Sequence, residues 1–501
     1  MAKYKYYNRK QTKIIPINLE EQLQPGTFEH TIDYLIDNKI DLSIFEQRYK
    51  NDDTGRPAWD PAIMLKIILF AYSRGIFFSR RIARACRENV VFMALSSDSQ
   101  PHFTTIADFI STMEKEISKV FQEVLLICSE LDLIGGEYLA IDGCKLSSNA
   151  SKEWSGTKKQ LAQKKEKIEL VIKDLLTKHQ RTDTTEKIEK TKKDKQIEKL
   201  QKKIERIEKF LAENEDKKGK RGHINQSNIT DNESAKMKSS HGMVQGFNGI
   251  GIADSKRQII LHAEAFGRGQ ENDLLKPMIE ATKENMKAIG KGNNYLEGKK
   301  FVGDTNYHTE DNCKFLEEEK IDGYLPDQHF RKRDPRFKEA SKYKPERKEK
   351  RFEIKDFIYD KENDKYICPA GKILGLDNRH TKIGIHEGRK YKAIIKDCQS
   401  CKLKRKCLRK TTTSRRYLFI IKKIHNRNYS KEMKNKIDTL EGREHYSKRM
   451  GIIEPVFANI CYAKQLFRFT LRGKIKVTIQ WMLYAIVHNL EKINNYGFAY
   501  G

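Results

Sequence analysis

From residue 152 to 222 the chain turns almost wholly to Lys, Glu, Gln and Ile. Its apolar residues there recur at helical spacing: Ile168, Val171, Ile172, Leu175 and Leu176, then after a break Ile197, Leu200, Ile204, Ile207 and Leu211. A stripe of this kind buries itself most simply as an antiparallel pair of helices, and no Pro interrupts it. The competing reading is a disordered charged insert, too polar to bury what ordering it would require. On the helical reading, the residues on either side are two parts of another domain that the insert divides.

Those flanks read as strands. Residues 137–141 form a short apolar run that ends at Asp142; beyond the insert come 249–253 and 259–265, separated by the turn sequence Asp254-Ser-Lys-Arg. A helix over 273–288, a strand over 300–303 ending at Asp304, a helix over 310–320 and a strand over 322–325 follow. Three strands, then helix, strand, helix, strand is an order that resembles the mixed-sheet ribonuclease H architecture. Upstream, residues 19–134 carry apolar residues three and four apart, for example over 61–72 and 105–126, and predict an all-helical unit. Pro61 suits a first helical turn, and Thr105 with Asp108 has the spacing of a capping box. Arg80, Arg81, Arg84 and Arg87 line the stretch 79–93, where a basic helix could meet a DNA groove or backbone; a solvated face is the plainer alternative.

The charge balance narrows the partner. The 501 residues hold 98 Lys plus Arg against 69 Asp plus Glu, a net charge of +29, which favours a polyanion because each cation placed on a phosphate releases condensed counterions. The first ten residues lack the apolar core of a signal peptide, and the longest apolar stretches, 64–78 and 477–490, are broken by polar residues, so no membrane span is expected. Nine cysteines in so long a chain are no disulfide framework, which points to the reducing cytoplasm and, with the charge, to the nucleoid.

Asp142 and Asp304 stand at equivalent places, each at the end of an apolar strand. Neighbouring strands could aim both carboxylates at one spot, as hard divalent cations require; taken singly, either could merely cap a turn. A third acid lies in Tyr446-Ser-Lys-Arg-Met-Gly-Ile-Ile-Glu454-Pro-Val-Phe-Ala-Asn-Ile460. Ile453, Val456, Phe457 and Ile460 make one helical face, and Pro455 predicts a first turn, with Glu454 beside it near the positive end of the helix dipole.

These segments resemble the DDE transposases of bacterial insertion sequences, in the subgroup with a helical N-terminal domain and a split catalytic core. The resemblance is carried by Gly55-Arg-Pro-Ala-Trp-Asp-Pro-Ala, Cys86-Arg-Glu-Asn-Val, Thr105-Ile-Ala-Asp-Phe, Ala140-Ile-Asp-Gly-Cys-Lys-Leu-Ser-Ser-Asn-Ala-Ser, Gly303-Asp-Thr-Asn-Tyr, Ile453-Glu-Pro-Val-Phe, Phe467-Arg-Phe-Thr-Leu-Arg-Gly-Lys and His488-Asn-Leu. It implies that Asp142, Asp304 and Glu454 are catalytic and hold Mg²⁺, or Mn²⁺ in its stead, as a pair of ions. It implies that Tyr446 and Arg449 handle DNA ends, with Lys448, Lys464, Arg472, Lys474, Arg80 and Arg81 as further DNA contacts. A lysine that related chains carry seven residues after the glutamate is Cys461 here, with Lys464 the nearest substitute. The implied partners are double-stranded DNA, as element ends and target, and a second copy of the chain in the active complex.

Cys368, Cys398, Cys401 and Cys407 share one segment, with one CxxC among them, and make a candidate tetrahedral zinc site; ordinary reduced thiols are the alternative. Lys402, Lys404, Arg405, Lys406, Arg409 and Lys410 surround them. The expected organisation is α/β: an all-α N-terminal domain (1–134), an RNase H-like mixed sheet flanked by helices and split over 135–151 and 223–330, a charged helical hairpin (152–222), a basic cysteine-containing insert (331–440) and a C-terminal helical part with Glu454 (441–501). A non-cutting DNA-binding derivative would be expected to have lost one of the three acids. A plain RNase H-like nuclease would not need the basic helical unit or the inserts.

Overall fold

The computed structural model describes residues 16–49, 57–181, 187–219, 222–239, 242–337, 351–383, 386–408, 412–421 and 427–497. Gly55, Arg409 and Lys410 lie outside the described residues. The chain divides into two compact units, one made of Met1–Ser155, Ser227–Gln328 and Ser430–Gly501, the other of Gly156–Gln226 and His329–Tyr429. The first unit thus holds the N-terminal helices with the sheet, and the second holds most of the two inserted segments.

In the first unit the helical region runs α1 (Phe28–Asn38), α2 (Pro61–Ser73), α3 (Ser79–Glu88), α4 (Val90–Leu95), α5 (Phe103–Thr112) and α6 (Glu114–Glu130). Pro61 is in the first turn of α2, behind an Asp60 side chain that accepts from the Ala62 amide. The stretch 79–93 is broken at Asn89, whose side chain caps α4 by accepting from Val91 and Phe92. The expected helix over 105–126 starts earlier, at a His102 cap rather than a Thr105 capping box, and breaks at Met113.

The sheet is mixed. Its strands are β1 (Tyr138–Ser147), β2 (Ala235–Ser239), β3 (Gly242–Asp254), β4 (Ile260–Phe266), β5 (Lys300–Val302) and β6 (Asp322–Tyr324), in the order β6-β5-β1-β3-β2 with β4 also paired to β3. β5 is parallel to β1 and to β6, whereas β1, β2 and β4 run antiparallel to β3. β3 is buried along most of its length because α7 (Leu275–Ala288), α10 (Leu440–Ala458) and α11 (Lys474–Tyr496) pack on it. Between them lie α8 (Glu310–Glu318) and α9 (Tyr429–Asp438). Asp254, fully buried, accepts from the amides of Gly135, Gly136 and Lys256, which fixes where β1 begins.

α11 is buried nearly all round, and packs on α1, α2, α5, α6 and β4. Trp481 donates its indole N–H to Ile250 O at 2.9 Å, Asn489 bonds the Ile260 backbone, and Tyr484 lies 4.7 Å from Tyr72, ring centre to ring centre. One helix thus seals both the sheet and the N-terminal helices; its buried Gln480, Trp481, His488 and Asn489 are hydrogen-bonded, while the Tyr484 hydroxyl has no hydrogen-bond partner among the described residues.

In the second unit, helices Lys158–Arg181 and Lys187–Glu213 form the expected hairpin. Leu161, Ile197, Ile207 and Phe210 are buried, and Lys165 pairs with Glu208 at 2.7 Å, which sets the two helices antiparallel. Five further strands, β7 (Ile358–Asp360), β8 (Lys365–Ile367), β9 (Ile373–Ile383), β10 (His386–Ala393) and β11 (Tyr417–Ile421), form an antiparallel sheet in chain order. Its core is Phe357, Leu374, Tyr391, Ala393 and Leu418, with Cys368, Cys398 and Cys407 packed against it. Among the described residues no helix is long and apolar enough to cross a membrane.

Candidate active site

Asp142 is not at the end of its strand. β1 continues to Ser147, and Asp142 sits within the ladder opposite Gly251. Asp304 does follow a strand, two residues after β5, where its side chain caps a turn of 3-10 helix by accepting from the Asn306 amide at 2.7 Å. Because β5 and β1 are parallel neighbours, both aspartates lie on adjacent strands. Glycine precedes Asp304 for a packing reason: a Cβ on Gly303 would stand 2.8 Å from Leu325 Cδ2 and 3.0 Å from Ile141 Cγ2.

Glu454 is in α10, but late in the helix rather than in its first turn, so the dipole gives it no help. Pro455 is inside the helix. Its missing N–H leaves the carbonyl of Gly451 without an intrahelical donor, and Gln258 Nε2 supplies one at 2.8 Å. A segment distant in sequence therefore makes the internal proline tolerable.

Arg449 joins the acids. It donates through Nη1 to Asp142 Oδ2 at 2.6 Å and through Nη2 to Glu454 Oε1 at 3.1 Å, with its side chain only 13% exposed. As placed, Arg449 faces the carboxylates and not the solvent where a DNA end would be met. Burial pushes the Asp142 carboxyl above the usual carboxylate range, with Arg449 and the Gly143 amide opposing the rise. Burial, then the nearby charges of Glu271 and Asp142, push the Asp304 carboxyl up to about 6. The pocket has gathered more negative charge than its one arginine offsets.

Five neighbours escaped sequence reasoning. Glu271, 3% exposed, lies in the loop between β4 and α7, and Lys145, Asn248 and Asn306 surround it. Lys145 and Asn306 stand inside the segments that carried the family resemblance, whereas Glu271 sits in a loop without periodicity. Tyr307 is fully buried, and its hydroxyl has no hydrogen-bond partner among the described residues. Cys461, in the place of the expected lysine, sets its sulfur 3.4 Å from that of Cys144, two residues past Asp142.

The other basic residues fall variously. Lys464 is 1% exposed and pairs with Glu491 at 2.6 Å and with Asn459 Oδ1 at 2.7 Å, so its ammonium faces inward. Lys474 is half-buried and pairs with Glu264 at 2.6 Å. Arg80 and Arg81 are exposed on α3, resting over the rings of Phe103 and Phe78, with Arg84 and Arg87 exposed beside them. Lys448 and Arg472 are exposed, and Tyr446 is half-buried on α10.

The donor set suits a hard divalent cation: carboxylate oxygens, excess negative charge, and a buried environment that strengthens the attraction. Among the described residues no three His, Cys, Asp or Glu side chains stand close enough to share an ion as placed; Arg449 holds the position between Asp142 and Glu454. The same holds for the cysteines, although burial raises the Cys407 thiol and Cys398, Cys368 and Cys401 face it closely enough to raise it further.

Two family models match the chain. One is described as a transposase DDE domain, over residues 367–494, and the other as a transposase domain, over residues 17–112. No curated protein and no solved structure matches.

Proposed function

We propose, on the premise that this chain belongs to the insertion-sequence DDE transposases, that Asp142, Asp304 and Glu454 form the centre that cuts DNA at the ends of the element and joins them to target DNA. The observation that carries this reading is the pair of ion pairs that Arg449 makes to Asp142 and Glu454, together with the rise of the Asp304 carboxyl, which burial drives first and the nearby charges of Glu271 and Asp142 add to. On this reading residues 142, 304 and 454 share one pocket. The strand order β6-β5-β1-β3, with β5 and β6 parallel to β1, supports reading the sheet as RNase H-like.

The three carboxylates would hold Mg²⁺ ions, with Mn²⁺ a workable substitute. Such ions, when bound, supply an activated oxygen nucleophile and stabilise charge on the attacking and leaving oxygens of an in-line displacement. The chain's own contributions are separable. The β1 ladder fixes Asp142, and the turn after β5 fixes Asp304. Arg449 keeps Asp142 and Glu454 from repelling each other before ions arrive and must release them to admit an ion between them. Arg80, Arg81, Arg84 and Arg87 on α3, with Lys448 and Arg472, would meet phosphates, a reading their exposure supports, and binding would then fall steeply with salt. Two copies would pair two ends.

The test uses linear DNA bearing the element's own end. Asp142→Ala, Asp304→Ala and Glu454→Ala should each abolish nicking in Mg²⁺ while leaving the gel-shift affinity near wild type; nicking that survives any one of them removes that residue from the centre. For the second unit we read Cys368, Cys398, Cys401 and Cys407 as ligands that a structural zinc draws together, supported by the closeness of the other three to Cys407. Elemental analysis of the purified chain should give one zinc, lost in Cys398→Ala with Cys401→Ala. Native protein without zinc ends that reading.

A further inference from the structure

We infer that Glu271 is a positioning residue for the strand-cutting centre: acting through Asn306, it holds the Asp304 carboxylate in one orientation. The inference rests on the reading just given for Asp304. A carboxylate as buried as that of Glu271 must be paired or fully hydrogen-bonded, since several kcal/mol of desolvation would otherwise be unmatched. Its Oε1 takes Asn248 Nδ2 at 2.8 Å and Lys145 Nζ at 3.1 Å. Its Oε2 takes Asn306 Nδ2 at 2.9 Å. Both oxygens are thus engaged by protein donors, and Glu271 acts on the centre through what it holds.

Asn306 is the link. Its single Nδ2 carries two hydrogens, and the second goes to Asp304 Oδ2 at 3.1 Å, while its backbone amide donates to Asp304 Oδ1 at 2.7 Å. Turned over, the carboxamide would present its oxygen to two carboxylates at once. Glu271 and Asp304 together therefore lock the amide in its donating sense, and the locked amide sets the carboxylate. Lys145 and Asn248 are cross-strand partners in the β1–β3 ladder, so the strand that carries Asp142 also anchors the chain of contacts that reaches Asp304. The two aspartates are aligned to each other through Glu271 as well as through the sheet.

Glu271→Gln keeps the shape, but its one oxygen is held by the two donors Asn248 and Lys145, which sets its N–H₂ against the N–H₂ of Asn306, so the lock is lost. Removing a group that orients a metal ligand typically weakens metal affinity by about 10- to 100-fold. The experiment titrates the full-length chain with Mn²⁺, reading free ion by its paramagnetic resonance, for wild type, Glu271→Gln, Asn306→Ala, the double variant and Asp304→Ala. Each single variant should raise the Mn²⁺ midpoint about tenfold, and the double should be no worse than the weaker single, the non-additivity of residues acting in series. Asn306 is exposed, so its variant keeps the test alive should Glu271→Gln fold poorly. Midpoints within twofold of wild type, or penalties that add, overturn the positioning role provided Asp304→Ala abolishes binding. Asp304→Ala that binds Mn²⁺ normally overturns the reading of the centre itself.

Discussion

β1 and β5 deliver an aspartate each to the same pocket, yet they hold it by unlike means. Asp142 lies inside a ladder that continues to Ser147, pinned on one side by β3, with Arg449 on its carboxylate. Asp304 lies beyond a strand of three residues, held by the cap it makes on its own turn and by Asn306. The first has an ion pair to offset its burial; the second has none, and burial, with Glu271 and then Asp142 adding to it, drives its proton affinity up. The two residues proposed to serve one reaction are therefore expected to answer differently when stability, and not activity, is measured.

The largest effect is shared. Loss of either carboxylate should take strand cutting below detection, and a variant at one position that retains rate would break the symmetry between them. Next comes Arg449→Ala, which leaves Asp142 buried and unpaired and should lower unfolding free energy by about 2 to 4 kcal/mol in urea titrations, with Arg449→Lys between. A wild-type-like midpoint would mean that water or another cation replaces the guanidinium. Asp304→Asn should do the reverse. The folded carboxyl at about 6 binds its proton more tightly than the ordinary 3.8, so its destabilising contribution is absent below pH 3.8, grows between the two values and is complete above 6. At pH 7.5 the variant should gain about 1 to 3 kcal/mol over wild type, and at pH 3.5 nothing; a gain that does not depend on pH would refute the assignment. Over the same window, nicking should fall as pH drops through about 6. Smallest is Gln258→Ala, which strips the donor from the Gly451 carbonyl opposite Pro455 and should cost under about 1 kcal/mol, since water can reach it in part.

Much of this was legible from the chain alone, and the omissions have physical causes. The strands that begin at 138, 260, 300 and 322, the two helices between them and the helical hairpin follow from apolar periodicity, whereas β2 (Ala235–Ser239), a polar run, was not foreseen. Nor was the length of β1, because 143–147 reads Gly-Cys-Lys-Leu-Ser and becomes a strand only when β3, a hundred residues on, pairs with it. Pro455 suggested a helix start because an internal proline normally strands a carbonyl; the rescue by Gln258 is tertiary. Lys464 suggested a surface cation, and Glu491 on α11 drew it inside. Glu271 sits in a loop, where spacing carries no information, and only the convergence of Lys145, Asn248 and Asn306 marks it.

α11 has a consequence for how an element's end is measured. Since one helix is common to the bundle that bears the α3 arginines and to the sheet that bears the acids, those parts cannot swing independently. If the proposed function holds, a duplex gripped at α3 would be presented to the pocket at a set offset, like stock clamped against the fence of a saw. The distance from recognition to cut is then a dimension of the protein, and lengthening the DNA between them should move the cut out of register instead of being absorbed by a hinge.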